Sequence, residues 1–196
     1  LGPALPYYLT CPEQKEYIFK LIPTASAAST LSSSLARALR LTKKYGHDLL
    51  LRHQADWING WLLGNWRWGE EGNNLRLGWD IKRQAWPSSY QSEPWFQALP
   101  EIVPSGTPLT SLDPKLAKSL NLPEEVLVIA GTTDSNAAVL TANPGPKDGI
   151  TVLGSTISLK RFVLSPIHGP GITNHRVNGR WLCGGSSNAA YLLNYL

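Results

Sequence analysis

The amino-acid sequence predicts a mixed α/β protein, because the pattern of the chain changes from helical to strand-like part-way along. Residues 1–120 hold stretches of helical periodicity separated by loops rich in glycine, proline and tryptophan. Residues 126–130 are a short, wholly apolar run that stops at Gly131, which is typical of a buried strand in an α/β sheet. Further on, Asn178-Gly179 separates two strand-like runs and indicates a β-hairpin.

The first amphipathic helix is predicted just before Gly46. Leu35, Ala38, Leu39 and Thr42 recur at positions i, i+3, i+4 and i+7, so they fall on one face of a helix. Hydroxyl side chains are available before it as caps, and the glycine ends it.

A second helix is predicted over residues 53–63, with Ala55, Ile58, Trp61 and Leu62 on one apolar face. Three shorter helices are predicted at residues 13–21, 95–99 and 114–120. The last of these has Asp113 as its cap and a proline in its first turn. Loops are predicted at residues 66–80, with a short helical piece, and at residues 100–108.

The turn at residues 143–149 is a predicted domain boundary, because it combines proline, glycine and asparagine. The first domain then covers residues 1–142, and the second begins at residue 149 and continues to 196. Strands are predicted in the second domain at residues 150–153, 157–164, 173–177 and 180–183. Ser186 or Ser187 is expected to cap a final helix.

Composition excludes several classes of protein. The net charge of +4 is modest, and its densest basic group, around Arg37 and Arg40, is predicted to be a solvated helix face rather than a nucleic-acid site. Apolar stretches are shorter than the ~18 residues that span a membrane. Cys11 and Cys183 have no metal-ligand spacing, so we expect no metal site made by the protein and a reducing compartment. The absence of Met, with Leu1 as the first residue, leads us to expect a fragment.

The first candidate catalytic residue is Asp134. It follows the predicted strand and the glycine turn at Gly131, and it begins a helix. Ligands of open α/β sheets bind at the carboxyl ends of strands, and an aspartate there can accept a proton from a bound hydroxyl. Alternatively, Asp134 serves as a cap of that helix.

The second candidate is the turn Gly154-Ser155-Thr156, which joins two predicted strands. Glycine allows close approach of the backbone, and N–H groups with hydroxyls can hold phosphate oxygens. An ordinary β-turn is the alternative. The common nucleotide-binding motifs with GxxxxGK or GxGxxG spacing are absent from the sequence.

Taken in order, these segments resemble the FGGY family of carbohydrate kinases. Its members carry a Gly-x-x-Asp-x-x-Ala-Ala segment, which here is residues 131–138, and a Gly-Thr/Ser turn between two strands. Residues 56–64 and 70–80 are similar to further family segments. The family segments at residues 131–138 and at the Gly-Thr/Ser turn, taken with residues 53–57 and 181–188, are most similar to the D-ribulose kinase and xylulose kinase-like branch of cyanobacteria and plants.

The resemblance implies a part of the two-domain actin-like ATPase (ribonuclease H-like) fold. Residues 1–142 would belong to the sugar-binding domain, and residues 149–196 would open the ATP-binding domain. It also implies an ATP- and Mg²⁺-dependent kinase of a ketose, most similar to a D-ribulose kinase. Its partners would be a small-molecule sugar and ATP, with no nucleic acid and no membrane. We expect a cytoplasmic protein, or a plastid one if it comes from a plant.

The resemblance assigns roles to five residues. Asp134 would be the general base that deprotonates the attacking sugar hydroxyl. Gly154, Ser155 and Thr156 would bind the β- and γ-phosphates, and Ser135 would contact the sugar. The family's Asp-x-Gly-Thr phosphate loop is absent and is expected upstream of the chain, so we expect the 196 residues alone to be inactive.

Two departures from the family pattern keep other functions open. Tyr8-Leu9 replaces a polar pair, and Ala189-Ala190 replaces a Gly-Gly pair. These changes favour, as an alternative, a catalytically inactive sugar-binding or regulatory relative of the kinase fold. A second alternative is an ATPase of the actin and Hsp70 type that acts on proteins, although the tryptophan-rich segment at residues 56–80 is more similar to a sugar kinase.

Overall fold

A computed structural model of the 196-residue chain describes residues 4–154, 156–167, 169 and 171–187. The chain divides into two units, Leu1–Gly131 and Thr132–Leu196. Each unit contains both helices and strands, which confirms the predicted α/β class.

The helices of the first unit lie largely where the sequence predicts them. They are α1 (Lys15–Leu21), α2 (Ser34–Tyr45), α3 (Gln54–Leu63), α4 (Glu71–Asn74) and α5 (Pro114–Leu120). Ser33 begins α2, because its Oγ accepts a hydrogen bond from the N–H of Ala36 at 3.1 Å. The predicted apolar face of α2 is buried, and its Leu35 and Leu39 pack against Ile18 of α1.

Helix α3 buries a different face from the one that its apolar residues predict. Ile58 and Trp61 are 44% and 46% exposed, whereas Asp56 and Gly60 are buried. The reason is close packing. A Cβ on Gly60 would lie 2.2 Å from Cδ1 of Trp66, so the indole packs on α3 at a position that only glycine leaves open. The prediction for this face was therefore wrong.

Four short strands belong to residues 4–131 of the first unit. Strands β1 (Trp68–Glu70) and β2 (Glu101–Val103) are parallel neighbours, although both fall in segments that the sequence predicts to be loops. Strands β3 (Pro108–Ser111) and β4 (Leu127–Ile129) are antiparallel. The predicted strand β4 is confirmed, but its burial is one-sided, since Val128 is buried and its two neighbours are about half exposed.

In the described part of the second unit, one helix packs on one sheet. Its elements are α6 (Asp134–Ala142), β5 (Gly149–Leu153), β6 (Ile157–Val163), β7 (Ile172–Val177) and β8 (Arg180–Ser187). The sheet is antiparallel with the strand order β5-β6-β8-β7. The predicted hairpin is confirmed, because Asn178 and Gly179 both have positive φ angles, +50° and +71°, as a type I′ turn requires.

Helix α6 packs on the second sheet, since Val139 contacts Phe162, Val177 and Leu182 in one apolar cluster. The division into units thus falls before α6, whereas the sequence prediction counts residues 1–142 as one domain. The assignment of the units to sugar and ATP binding stays a prediction. Ser186 and Ser187 lie in β8 rather than at a helix start, and the predicted final helix, with Ala189 and Ala190, lies outside the described residues.

Candidate active site

Asp134 is the first residue of α6 and is exposed. Its Oδ1 accepts a hydrogen bond from the N–H of Ser135 at 2.6 Å, while the next two N–H groups of the helix, those of Asn136 and Ala137, donate to the carbonyl of Thr133. One carboxylate oxygen therefore anchors the side chain to the helix start. The N-cap position of α6 is occupied by Thr133, so Asp134 lies one residue inside the helix rather than at its cap. Its exposed carboxylate is placed to accept a proton.

A buried lysine contacts the two residues that follow Asp134. Lys160 on β6 is only 8% exposed, and its Nζ donates to Oγ of Ser135 at 2.8 Å and to Oδ1 of Asn136 at 2.6 Å. Asn136 is fully buried, and its Nδ2 donates to Oγ1 of Thr132 at 3.2 Å. The first turn of α6 is thereby tied to the sheet through polar side chains.

The surroundings of Lys160 disfavour positive charge. Burial lowers the pKa of Lys160, and attraction to the Asp134 carboxylate partly opposes that effect. Burial, with the charge of Lys160 added, lowers the pKa of His175 to about 4. Nδ1 of His175 is buried without a hydrogen-bond partner among the described residues.

Gly184 on β8 makes room for the lysine. It pairs with Lys160 across the ladder, and a Cβ at this position would lie 2.7 Å from Cγ of Lys160 and 2.2 Å from the carbonyl oxygen of Leu159. Any larger residue would force the strands or the lysine side chain to move. The backbone of β8 therefore helps to direct Lys160 toward α6.

The candidate phosphate turn joins β5 to β6. The N–H of Gly154 donates to the carbonyl of Thr156 at 3.2 Å, and an added Cβ on Gly154 would meet nothing closer than 3.7 Å. Because Gly154 is exposed, a phosphate can approach this backbone closely. Ser155, the third predicted contact, lies outside the described residues.

Asp134 is the residue of this site whose exposed carboxylate could bind a metal ion. Among the residues that the structure describes, no three His, Cys, Asp or Glu side chains form a group that could hold a metal. Mg²⁺ in phosphoryl-transfer sites is bound largely by substrate phosphates and by one or two carboxylates. Asp134 is the carboxylate of this site that could take that part.

The sequence missed Lys160, Asn136 and His175 as members of the site. Lysine usually lies at the surface, so its inward direction is not evident from its type. The available signal is the alternation of β6, because Lys160 is two residues from Phe162 and so shares its face. The phenylalanine is buried against α6.

Comparison with solved structures identifies the architecture. No model of a known protein family matches the sequence. A carbohydrate kinase from Novosphingobium aromaticivorans is similar in structure, with a TM-score of 0.79 and 21% identity over 100% of this chain and 46% of that chain. The chain has the fold of carbohydrate kinases.

Two further structures agree with it. Xylulose kinase from Rhodospirillum rubrum matches with a TM-score of 0.79 and 18% identity over 94% of this chain and 41% of that one. Plasmodium falciparum glycerol kinase with ADP matches with a TM-score of 0.72 and 13% identity over 92% and 42%. The predicted fold class, part of an actin-like ATPase fold, is thus confirmed, and the chain spans less than half the length of these proteins.

The fold carries no membrane-spanning helix in the part of the chain that the structure describes. No helix there combines the length and the apolar character that crossing a bilayer requires.

Proposed function

We propose that this chain is part of an FGGY-type carbohydrate kinase that transfers the γ-phosphoryl group of ATP to a hydroxyl of a ketose. The observation that carries the proposal is the exposed carboxylate of Asp134 at the start of α6, in a chain with the fold of carbohydrate kinases. D-ribulose is the first choice of substrate, on the sequence resemblance. D-xylulose and other ketoses or polyols follow it.

In this mechanism Asp134 accepts the proton of the attacking sugar hydroxyl. Its Oδ1 is held by the N–H of Ser135, so the carboxylate is already oriented before the sugar binds. Such a base contributes about 100- to 10,000-fold to the rate. ATP, with Mg²⁺ on its phosphates, supplies the phosphoryl group and the charge neutralisation that this reaction needs.

Ser135 is suited to bind a sugar hydroxyl. Its Oγ accepts a hydrogen bond from Lys160, and a hydroxyl group that accepts one bond keeps its own hydrogen to donate. That hydrogen is available to a sugar oxygen or to Oγ1 of Thr133, which is 3.5 Å away. We assign the phosphate contacts to Gly154, Ser155 and Thr156, because the open backbone at Gly154 allows close approach.

A coupled assay of ADP release by the intact protein, with a panel of ketoses and polyols, tests the proposal. We expect sugar-dependent ADP release with the highest kcat/KM for D-ribulose. A higher value for D-xylulose would correct the substrate but keep the kinase. If no sugar stimulates ADP release while sugar binding is measurable by calorimetry, the proposal is wrong and the inactive sugar-binding relative takes its place.

The 196-residue chain by itself is expected to release no ADP in the same assay. The family's first phosphate loop, Asp-x-Gly-Thr, is absent from it, and phosphoryl transfer depends chiefly on positioning the phosphates. Measurable sugar-dependent turnover by the chain alone would overturn this expectation.

A further inference from the structure

Lys160 is a buried cation whose position is unfavourable for stability alone. The residue is 8% exposed, and both of its hydrogen-bond partners, Ser135 and Asn136, are neutral. Among the described residues no ion pair includes it. Removing an ammonium group from water costs several kcal/mol unless a counter-charge compensates, so a lysine at this site calls for a reason beyond packing.

The helix dipole adds to this cost. Lys160 donates to the second and third residues of α6, so its positive charge lies at the positive end of the helix. Cations stabilise the opposite end of a helix. Within the site, the compensating attraction is to the carboxylate of Asp134. The charge of Lys160 is therefore stabilised mainly by the carboxylate of Asp134.

Lys160 also connects the two candidate catalytic segments of the second unit. Strand β6 begins at Ile157, directly after the turn that holds Gly154 and Thr156. Lys160 lies in the middle of that strand, paired with Ile150 of β5 on one side and Gly184 of β8 on the other. The pairing on both sides holds the backbone of Lys160, and the two hydrogen bonds of its ammonium group hold the side chain against the first turn of α6.

We propose that Lys160 is the positioning residue of this site: its ammonium group fixes the first turn of α6 and so holds Asp134 in register with the strand that follows the phosphate turn. This inference rests on the proposed function, because it assigns Asp134 to the reaction. Lys160 acts through Ser135 and Asn136, the two residues that follow Asp134 in sequence, and it does not contact the substrate.

Lys160→Met in the intact protein tests the proposal, because methionine keeps the shape of the side chain and removes its charge and donors. We expect kcat to fall by about 100-fold, the loss that a displacement of about 1 Å can cause, while KM for the sugar and for ATP changes less than about three-fold. Lys147→Met is the matched control. It removes an exposed lysine from the turn after α6 in the same unit, and kcat should be unchanged.

Hydrogen exchange provides a readout that does not depend on turnover. In Lys160→Met we expect the amide groups at residues 135–138 to exchange about ten-fold faster, because the first turn of α6 loses its anchor to the sheet. Exchange within β6 and β8, and throughout Lys147→Met, should remain as in the unmodified protein.

A second variant separates a positioning role from a simple packing role. Lys160→Ala removes the part of the side chain that propylammonium resembles, whereas propanol has a similar size without the charge. We expect propylammonium to restore kcat in a concentration-dependent manner and propanol to have no effect. Restoration by both compounds would mean that Lys160 only fills space, and the proposal would be wrong.

The outcomes distinguish this proposal from the proposed function. If the unmodified protein is an active kinase and Lys160→Met keeps its kcat, the role of Lys160 is overturned and the kinase assignment stands, whether or not exchange has changed. If the unmodified protein phosphorylates no sugar, the proposed function fails first, and the positioning role at Asp134 fails with it.

Discussion

Asn74 and Asp56 are joined by a buried hydrogen bond between helices α4 and α3. Nδ2 of Asn74 donates to Oδ2 of Asp56 at 2.9 Å, and the N–H of Glu70 donates to the other carboxylate oxygen at 3.0 Å. Asp56 is 2% exposed and Asn74 is fully buried. Burial raises the pKa of Asp56 to about 6, against the effect of these two donors. The carboxylate thus ties three segments of the first unit together.

Asp56→Ala should destabilise the first unit by about 2–4 kcal/mol. The substitution leaves the buried N–H of Glu70 and Nδ2 of Asn74 short of an acceptor, and such groups cost about 1–3 kcal/mol each when they are unsatisfied. Urea denaturation at pH 7 measures the effect. Asp48→Ala, which removes an exposed aspartate, is the control and should change the free energy of unfolding by less than about 0.5 kcal/mol. Equal stability of the two variants would contradict the structural role of Asp56.

Gly60→Ala should also destabilise the first unit, in spite of the better helix propensity of alanine. Alanine gains about 1 kcal/mol over glycine inside a helix, but its Cβ would lie 2.2 Å from Cδ1 of Trp66. That indole donates from Nε1 to the carbonyl of Trp57 at 3.1 Å, so its displacement breaks a hydrogen bond as well. Because overpacking usually costs about 1–3 kcal/mol, we expect a net loss of about 1–2 kcal/mol.

Gly131→Ala is the matched control for that substitution. No atom lies within 4 Å of the Cβ that it would add, and its stability should equal that of the unmodified protein. Thermal unfolding of the two variants makes the comparison. A Gly60→Ala variant that unfolds at a higher temperature would show that Trp66 can move aside without cost.

His175 should make the stability of the second unit depend on pH. Its pKa is lowered to about 4 in the folded state, against about 6.5 in an unfolded chain. Below pH 6.5 the unfolded chain binds a proton that the folded protein does not, so stability is fully present above pH 6.5 and is lost as the pH falls toward 4. Between pH 7.5 and pH 5 the loss should be up to about 2 kcal/mol.

The contribution of His175 is measured against His175→Gln, by urea denaturation at several pH values. The variant should lose less stability than the unmodified protein as the pH falls. His47→Gln, at an exposed position, should follow the unmodified protein. His53 in the first unit also has its pKa lowered to about 4 by burial, and it affects all three proteins alike. Parallel curves for His175→Gln and the unmodified protein would count against a neutral, buried His175.

Local signals predicted the elements that depend on local chemistry. The hydroxyl cap and apolar spacing of α2 and the Asn178-Gly179 turn are encoded within a few residues, and the structure confirms them. The pairing of β1 with β2 is not local, because it joins Trp68 to Glu101. Each strand is also too short for an alternation of apolar and polar residues to be recognised in the sequence. Composition likewise could not show that α3 buries an aspartate, since that depends on donors from distant residues.

The candidate site was predictable to a similar extent. Asp134 and Gly154 follow from motifs in which strand, glycine turn and polar residue are adjacent in sequence. Lys160 lies 25 residues from the serine that it contacts, and a lysine in a strand is ordinarily solvent-exposed. Its role emerges only when β6, paired on both sides, directs it against α6.

Asp134→Asn separates the two roles that the geometry leaves to Asp134. Asparagine keeps an oxygen for the N–H of Ser135, and it loses only the interaction of a negative charge with the start of the helix, which is worth about 0.3–1 kcal/mol. The free energy of unfolding should therefore change by no more than about 1 kcal/mol. Asparagine cannot accept the proton of a sugar hydroxyl, so kcat should fall by about 100- to 10,000-fold, while the Kd for the sugar, measured by calorimetry, changes little.

Asp148→Asn is the matched control for this last prediction. Asp148 is also exposed, belongs to the same unit and accepts a hydrogen bond from a backbone N–H, that of Gly145 at 2.7 Å. The two variants thus lose the same charge and keep the same kind of backbone contact, and only Asp134→Asn should lose turnover. Near-full activity of Asp134→Asn would contradict the assignment of the general base, because the carboxylate would then only hold the N–H of Ser135 at the start of α6.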